Sequence, residues 1–145
     1  MHFNSRRIPK IELHVHLDTC ISYHCAKMLM PALNLKVFQS NFIAPSQCTD
    51  LGDFLRRISP QLSLLQTHTA LRQAVEDMFD QLHADGVIYA ELRFAPLLHL
   101  NQYLTAEEVI ETVLDAMQIN SHIFDIKANL ILCTLRHFTA EQSLE

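Results

Sequence analysis

Residues 10–18 decide how the rest of the sequence is interpreted, and they read Lys10-Ile11-Glu12-Leu13-His14-Val15-His16-Leu17-Asp18. Successive side chains of a β-strand point to opposite faces of its sheet. An extended conformation therefore predicts one apolar face with Ile11, Leu13, Val15 and Leu17, and one polar face with Glu12, His14, His16 and Asp18. Neutral imidazole is a preferred zinc ligand, so His14 and His16 side by side predict half of a tetrahedral metal site.

The same alternation has a second explanation that needs no metal. A strand at the surface of an antiparallel sheet is also apolar on one side and polar on the other. The strand taken alone leaves both interpretations open. The choice between them depends on the remainder of the chain.

The composition is that of a globular protein with a substantial core. The chain has 145 residues, of which 49% are hydrophobic and 19% are charged, and its formal net charge is −5. Basic residues do not cluster beyond two Arg-Arg pairs, so no nucleic-acid partner is expected. No apolar run approaches the roughly 20 residues of a membrane span. We therefore expect no membrane association and a cytoplasmic location.

Cysteine and glycine usage excludes several other kinds of site. Cys20, Cys25, Cys48 and Cys133 form no Cys-x-x-Cys pair, which argues against a zinc ribbon or a thioredoxin-type redox site. We expect them to be reduced and mostly buried thiols. The chain has only two glycines, which is too few for a glycine-rich phosphate-binding loop.

The first half of the chain contains two predicted short helices. Ser22 can cap a helix that ends near Pro31. Residues 34–50 show no clear period and predict an irregular excursion. Residues 50–58 then predict an amphipathic helix that ends before Pro60. Its apolar stripe, Leu51, Phe54, Leu55 and Ile58, is typical of a helix packed on a core.

The second half predicts two strands separated by a helix. A helix capped at Thr67 or Thr69 ends at Asp85-Gly86, and residues 87–94 come next as a strand covered on both faces. Thr105 and Glu108 form a capping box that begins the next helix. The inner stripe predicted for that helix is Val109, Ile110, Val113, Leu114 and Met117. Residues 126–135 predict the third strand.

Strands and helices thus alternate, which predicts an α/β fold with a parallel sheet. No repeat or boundary divides the chain, so residues 1–145 are treated as a single domain. In the second strand Glu91 and Arg93 share a face, where we expect them to brace the fold as an ion pair or as inward-pointing polar groups. The other histidines are expected to be exposed or structurally hydrogen-bonded. His137, just beyond the third strand, is the remaining candidate ligand.

Four segments in order resemble the adenosine deaminase family of metal-dependent deaminases in the amidohydrolase superfamily. They are residues 9–18, Asp53-Phe54-Leu55, Tyr89-Ala90-Glu91-Leu92-Arg93-Phe94-Ala95-Pro96, and the third strand from Lys127 to Arg136. The first segment is the most specific of the four. Together they cover nearly the whole chain.

The resemblance implies the N-terminal part of a (β/α)₈ TIM barrel, with about three strands and their crossover helices and the site at the C-terminal strand ends. It implies zinc-dependent hydrolytic deamination of adenosine to inosine and ammonia, with one Zn²⁺ per chain. His14 and His16 would be metal ligands. Asp18 would bind the ribose 5′-hydroxyl, and Leu51, Phe54 and Leu55 would form an apolar gate over the nucleoside.

Two departures from the family pattern limit these implications. The family usually has glycine after the aspartate, whereas Thr19 stands here, which leaves open whether the substrate is adenosine, adenine, AMP or a modified nucleoside. A whole barrel needs roughly 250 residues. The remaining metal ligands and the acid and base residues belong to later strands, so no catalytic residue is assigned in this chain.

The short length also bears on partners. Three strands alone leave sheet edges unpaired, so we expect either a C-terminal half that completes the barrel or self-association. The small-molecule partner implied is a purine nucleoside. The alternative from another class is a truncated family member that binds metal without turnover.

Overall fold

The computed structural model describes residues 8–101, 103–136 and 138–143. Three parallel strands form one sheet in the order β1-β2-β3, and they are Lys10–His16, Val87–Phe94 and Lys127–Leu132. In the described residues six α-helices accompany them: α1 Tyr23–Leu29, α2 Leu35–Phe42, α3 Leu51–Leu55, α4 Ile58–Leu64, α5 His68–Asp85 and α6 Ala106–Phe124. A short 3₁₀ helix, Pro96–Leu98, follows β2. The predicted alternation and parallel sheet are confirmed.

The core lies between the sheet and the two long helices. Ala90, Leu92 and Phe94 of β2 are fully buried, as are Val75 of α5 and Val113 of α6. Burial of apolar side chains on this scale is the main favourable term in folding. β2 lies in the centre of the sheet. Because the three strands are parallel, their C-terminal ends lie at the same edge of the sheet.

The predicted ends of the long helices are confirmed. The Thr67 hydroxyl accepts from the Ala70 amide, and Gly86 ends α5 with a left-handed φ of 81°. Glycine adopts that conformation without the steric cost that a Cβ brings. Thr105 and Glu108 make the reciprocal capping box that begins α6. The Ser22 hydroxyl caps α1 as predicted.

The prediction of an irregular excursion over residues 34–50 is wrong for its first half. Residues Leu35–Phe42 form α2, and the Asn34 side chain caps it by accepting from the Val37 amide. Phe38 and Phe42, four residues apart, are buried and stack with ring centroids 5.1 Å apart. Two large apolar residues at helical spacing are enough for a two-turn helix once a neighbouring surface exists.

The single helix predicted for residues 50–58 is also wrong. The chain forms α3 and then α4, and Pro60 lies in the first turn of α4, where its missing N–H is not needed. The apolar stripe does not pack on the core. Leu51, Phe54 and Leu55 are 71%, 47% and 46% exposed.

The strict alternation predicted along β1 holds only for its second half. The pairing of β1 with β2 changes register between Glu12 and Val15, which is the mark of a β-bulge. Val15 and Leu17 pack on the core, whereas Ile11 and Leu13 are largely exposed because β1 is an edge strand. The purely apolar buried face is therefore shorter than predicted.

Two smaller predictions need correction as well. Leu114 of α6 is largely exposed, so the buried stripe of that helix instead includes Thr112, Ala116 and Asn120. All four cysteines are free thiols, but Cys20 and Cys48 are exposed and only Cys25 is buried. No helix in the described part of the chain combines the length and apolarity that crossing a bilayer requires.

Candidate metal and substrate site

The two histidines of β1 lie with their rings side by side. The Nε2 atoms of His14 and His16 are 3.3 Å apart, and the ring centroids are 5.3 Å apart. Two nitrogens bound to one tetrahedral zinc at about 2.0–2.1 Å would be about 3.3 Å apart. The spacing of these two donors therefore fits a shared metal ion.

Arg93 of β2 sets the hydrogen bonding of this pair. Its Nη1 atom donates to His14 Nε2 at 2.9 Å. A guanidinium only donates, so His14 Nε2 must present its lone pair and the ring proton lies on Nδ1. That is the tautomer in which Nε2 can bind a metal, although a metal ion and Arg93 cannot use the same lone pair at once.

The surroundings of His16 favour its neutral form. Burial lowers the pKa of His16 below its ordinary value, and the nearby Arg93 and His14 lower it further, while Asp18 opposes the shift. The neutral imidazole, which is the ligand form, is therefore favoured.

A third ligand for the pair is not found among the residues described. No group of three or more His, Cys, Asp or Glu side chains in that part of the chain could hold a metal ion. The Glu12 carboxylate instead accepts from the His14 amide at 3.1 Å. His137 lies outside the described residues.

Asp18 is a buried carboxylate whose two oxygens have different surroundings. The residue is 4% exposed. Oδ2 accepts from the Ala95 amide at 3.5 Å. Oδ1 lies 3.9 Å from His16 Nδ1 and has no hydrogen-bond partner. Buried polar atoms are nearly always partnered, so a free carboxylate oxygen at this position is a candidate binding group.

An apolar cavity of about 390 Å³ opens beside Asp18 at the C-terminal ends of the strands. His16, Asp18 and Thr19 line one side, and Leu55, Ile58 and Leu98 are among the apolar residues of its wall. Pockets that are mostly apolar with a few polar groups are typical of small-molecule sites. Of the three predicted gate residues, Leu55 lines this cavity, while Leu51 and Phe54 are exposed on α3.

The turn after Asp18 is held in place by α5. The Asp77 carboxylate accepts from the Ser22 amide at 2.8 Å and also from the Ser22 hydroxyl. Gln81 donates to Asp77 at 2.9 Å and to the Cys20 carbonyl at 3.0 Å. The segment that comes after the candidate binding aspartate is thus fixed to a long helix of the core.

Glu91 and Arg93 share the face of β2 opposite Ala90, Leu92 and Phe94 but do not contact each other as an ion pair. Glu91 accepts from the Tyr89 hydroxyl at 3.0 Å, and Asn129 of β3 donates to that hydroxyl at 2.9 Å. Arg93 donates to His14 instead. The predicted ion pair is therefore not formed, and both side chains are partly exposed on the face of β2 opposite its buried residues.

Sequence reasoning missed His99, which is fully buried behind Asp18. Its Nδ1 lies 2.8 Å from the Leu65 carbonyl oxygen, and its Nε2 lies 3.7 Å from Asp18 Oδ2. The available signal was its position five residues beyond the end of β2. Loops at the carboxyl ends of parallel strands meet at one edge of the sheet.

Comparison with known proteins gives the family. The family model described as adenosine deaminase matches residues 9–145. The chain belongs to the adenosine deaminase family. It is 37% identical over 146 residues to an adenosine deaminase of Enterococcus faecalis, which covers 97% of this chain and 43% of that relative. The chain thus spans less than half the length of the curated relatives that it matches.

Solved structures of deaminases share the fold of this family member. The adenine deaminase of Arthrobacter aurescens superposes with a TM-score of 0.78 at 21% identity, covering 92% of this chain and 42% of that one. An amidohydrolase from Burkholderia ambifaria with bound Zn gives 0.77 at 15% identity, over 98% and 42%. Arabidopsis ADAL complexed with IMP gives 0.74 at 22%, over 94% and 43%. The predicted fold, the N-terminal part of a (β/α)₈ barrel, is confirmed.

Proposed function

We propose that this chain is the N-terminal part of a zinc-dependent deaminase that converts adenosine to inosine and ammonia. One observation carries the proposal: the Nε2 atoms of His14 and His16 are 3.3 Å apart, and His16 lines an apolar cavity together with Asp18, a buried carboxylate with one oxygen that has no hydrogen-bond partner. Membership of the adenosine deaminase family supports the reaction type.

In this proposal His14 and His16 hold the zinc ion through Nε2. A zinc ion, when bound, lowers the pKa of a coordinated water to about 7 so that a nucleophile exists at neutral pH. Arg93 Nη1 donates to His14 Nε2 at 2.9 Å, and this hydrogen bond would have to give way for His14 to hold the metal through the same atom. The pair is half of a ligand set, and the other half is proposed to come from later strands of the barrel.

The remaining residues of the site bind and orient the nucleoside. Asp18 Oδ1 accepts a hydrogen bond from the ribose 5′-hydroxyl. Leu55 and Leu98 contact the apolar faces of the ligand and exclude water. Leu51 and Phe54, exposed on α3, are proposed to close over the bound nucleoside. No proton-transfer residue is assigned to this chain.

We propose that the barrel is completed by a further segment or by association with another chain. Ile11 and Leu13 of β1 and Leu132 of β3 are exposed at the two edges of the sheet. Unpaired strand edges with apolar side chains need a partner. We also propose that the protein acts in the cytoplasm, because its four cysteines are free thiols.

Metal analysis of the completed barrel tests the ligand assignment. Wild-type protein should contain about one zinc per chain, and His14→Ala should lose it. His24→Ala is the matched control, since His24 is exposed on α1. Zinc content that His14→Ala leaves unchanged would contradict the assignment.

The loss of adenosine absorbance tests the reaction, with adenine and AMP measured in parallel. Highest kcat/KM on adenosine supports the proposal. Thr19, which lines the cavity next to Asp18, is the reason to include the other substrates. A higher kcat/KM on adenine or AMP would mean that adenosine is not the preferred substrate, while the proposed reaction type would stand. Bound zinc without turnover on any of them would support the non-catalytic alternative.

A further inference from the structure

Two cavities adjoin the turn after β1. The first is the apolar cavity of about 390 Å³ beside Asp18, which the proposed function assigns to the nucleoside. The second has a volume of about 300 Å³ and is bounded by the same turn, the start of α1 and side chains of α2, α4 and α5. Thr19 is the one described residue that lines both cavities. Its side chain is therefore part of the wall between them.

The position of Thr19 is fixed by hydrogen bonds of the turn. Its amide donates to the His16 carbonyl oxygen at 3.5 Å. Immediately after it, the Cys20 carbonyl oxygen accepts from the Gln81 side chain of α5 at 3.0 Å. Threonine is branched at Cβ, so few rotamers are open to its side chain. A ligand group that needed the space of Thr19 would therefore have to break these contacts.

The second cavity suits a neutral, apolar group. Phe38 and Phe42, each 5% exposed, line it together with Tyr23 and Gln61. Gln61 donates through Nε2 to the Phe42 and Arg57 carbonyl oxygens, and its buried Oε1 has no hydrogen-bond partner. Of the described residues around this cavity none is basic, so a phosphate would be buried there without a compensating charge.

We propose that Thr19 is a specificity-determining residue, whose side chain closes the second cavity to the group carried on the 5′ carbon of the nucleoside. This rests on the proposed function, in which Asp18 binds the ribose 5′-hydroxyl. Thr19 directly follows Asp18 and lines the same cavity, so the 5′ carbon is the part of the ligand nearest to it. A hydroxyl fits in front of Thr19, whereas a larger neutral group on that carbon needs the second cavity.

Two substrates isolate the size of the 5′ group. 5′-Deoxyadenosine and 5′-deoxy-5′-methylthioadenosine both lack the hydroxyl that donates to Asp18, and they differ only by the methylthio group. The ratio of their kcat/KM values in the completed barrel therefore reports the space at the 5′ carbon. In wild-type protein the methylthio compound should be at least about tenfold the poorer substrate, the scale on which an apolar pocket discriminates between ligands of different size.

Two substitutions separate the volume of the Thr19 side chain from its hydroxyl. Thr19→Gly removes the wall and should raise the ratio about tenfold, through a lower KM for the methylthio compound. Thr19→Val keeps a branched side chain, loses the hydroxyl and should leave the ratio within about twofold. The one positive φ among the described non-glycine residues is at Asp125, so position 19 accepts either residue without backbone strain. An unchanged ratio in Thr19→Gly, or an equal rise in Thr19→Val, overturns the proposal.

A second variant and a binding measurement serve if Thr19→Gly does not fold, as judged by its unfolding midpoint. Thr19→Ala also removes the side chain beyond Cβ and should raise the ratio in the same direction. Titration calorimetry of wild-type protein should show weaker binding of 5′-deoxy-5′-methylthioinosine than of 5′-deoxyinosine. Equal affinities, or equal turnover of the two substrates by wild-type protein, overturn this inference and leave the deaminase function intact. Wild-type protein with no activity on adenosine or on either analogue overturns the proposed function itself, and this inference with it.

Discussion

The two faces of β2 differ in how far their side chains are buried. On one face Ala90, Leu92 and Phe94 are fully buried under the α5 and α6 layer. On the other, Tyr89, Glu91 and Arg93 are partly exposed. Tyr89 and Arg93 contact polar groups of the neighbouring strands, and Glu91 accepts from Tyr89. The first face is a finished core, whereas the second is a row of polar groups that the proposed remainder of the barrel would enclose.

The buried face of β2 allows this part of the barrel to hold its candidate site residues in place. The covered face supplies the apolar burial that fixes β2, and β2 in turn positions His16 and Asp18 through the β1 pairing and the Ala95 amide. The open face contacts the candidate metal ligand His14 through Arg93, and we expect it to contribute little to stability. Substitutions on the two faces and in the elements that join them test that division, beginning with the largest expected effect.

A matched pair of leucine truncations tests the division directly. Leu92→Ala removes a fully buried side chain and should lower the free energy of unfolding by about 2–5 kcal/mol. Leu13→Ala removes a side chain that is 57% exposed and should change it by no more than about 0.5 kcal/mol. Urea unfolding of both variants gives the values. Similar costs would mean that Leu13, on the edge strand, is packed as tightly as the covered core.

Asp77 connects the covered layer to the turn after Asp18. Asp77→Ala leaves the Ser22 amide and hydroxyl without their acceptor and should cost about 1–3 kcal/mol of unfolding free energy. Asp80→Ala, at an exposed position of the same helix, is the control. If both cost the same in urea unfolding, Asp77 does not hold the turn.

Removal of the N-cap tests how much the capping box stabilises the start of α6. Thr105→Ala removes the acceptor for the Glu108 amide and should cost about 1 kcal/mol of unfolding free energy. Thr69→Ala, at an exposed position inside α5, should cost nothing because alanine is the better helix former. A loss at position 69 as large as that at position 105 would contradict the capping role.

The smallest expected effect is the pH dependence of the same box. The Thr105 amide and hydroxyl hold the pKa of Glu108 below its ordinary value. Its stabilisation is therefore present above the unfolded-state pKa and is lost as the pH falls through the lowered folded-state value. The difference in unfolding free energy between wild type and Glu108→Gln should shrink as the pH falls from neutral to acid. A difference that stays constant with pH would exclude this contribution.

Local signals in the sequence were sufficient for part of this structure. The bounds of β2, the Gly86 end of α5 and the capping box of α6 depend on residues within one turn of each other, so neighbouring residues alone predict them. The closeness of His14 and His16 is a result of strand geometry in the same way.

Other features depend on which surface happens to lie opposite, and the sequence does not contain that information locally. Phe38 and Phe42 form the buried side of α2 only because neighbouring helices supply a surface. Leu114 fits the apolar period of α6 but is 47% exposed. His99 meets Asp18 across 81 positions of sequence, and no spacing rule connects them.

The crossovers on the two sides of β2 differ in length, which bears on how the chain folds. The connection from β1 to β2 runs through residues 17–86, whereas that from β2 to β3 runs through residues 95–126 and is roughly half as long. Each doubling of loop length adds about 0.6 kcal/mol of closure entropy. The β2-α6-β3 unit therefore closes the shorter connection, at the smaller entropic cost. During synthesis, His14 and His16 emerge from the ribosome before β2, and β1 can pair with β2 only once β2 has been made.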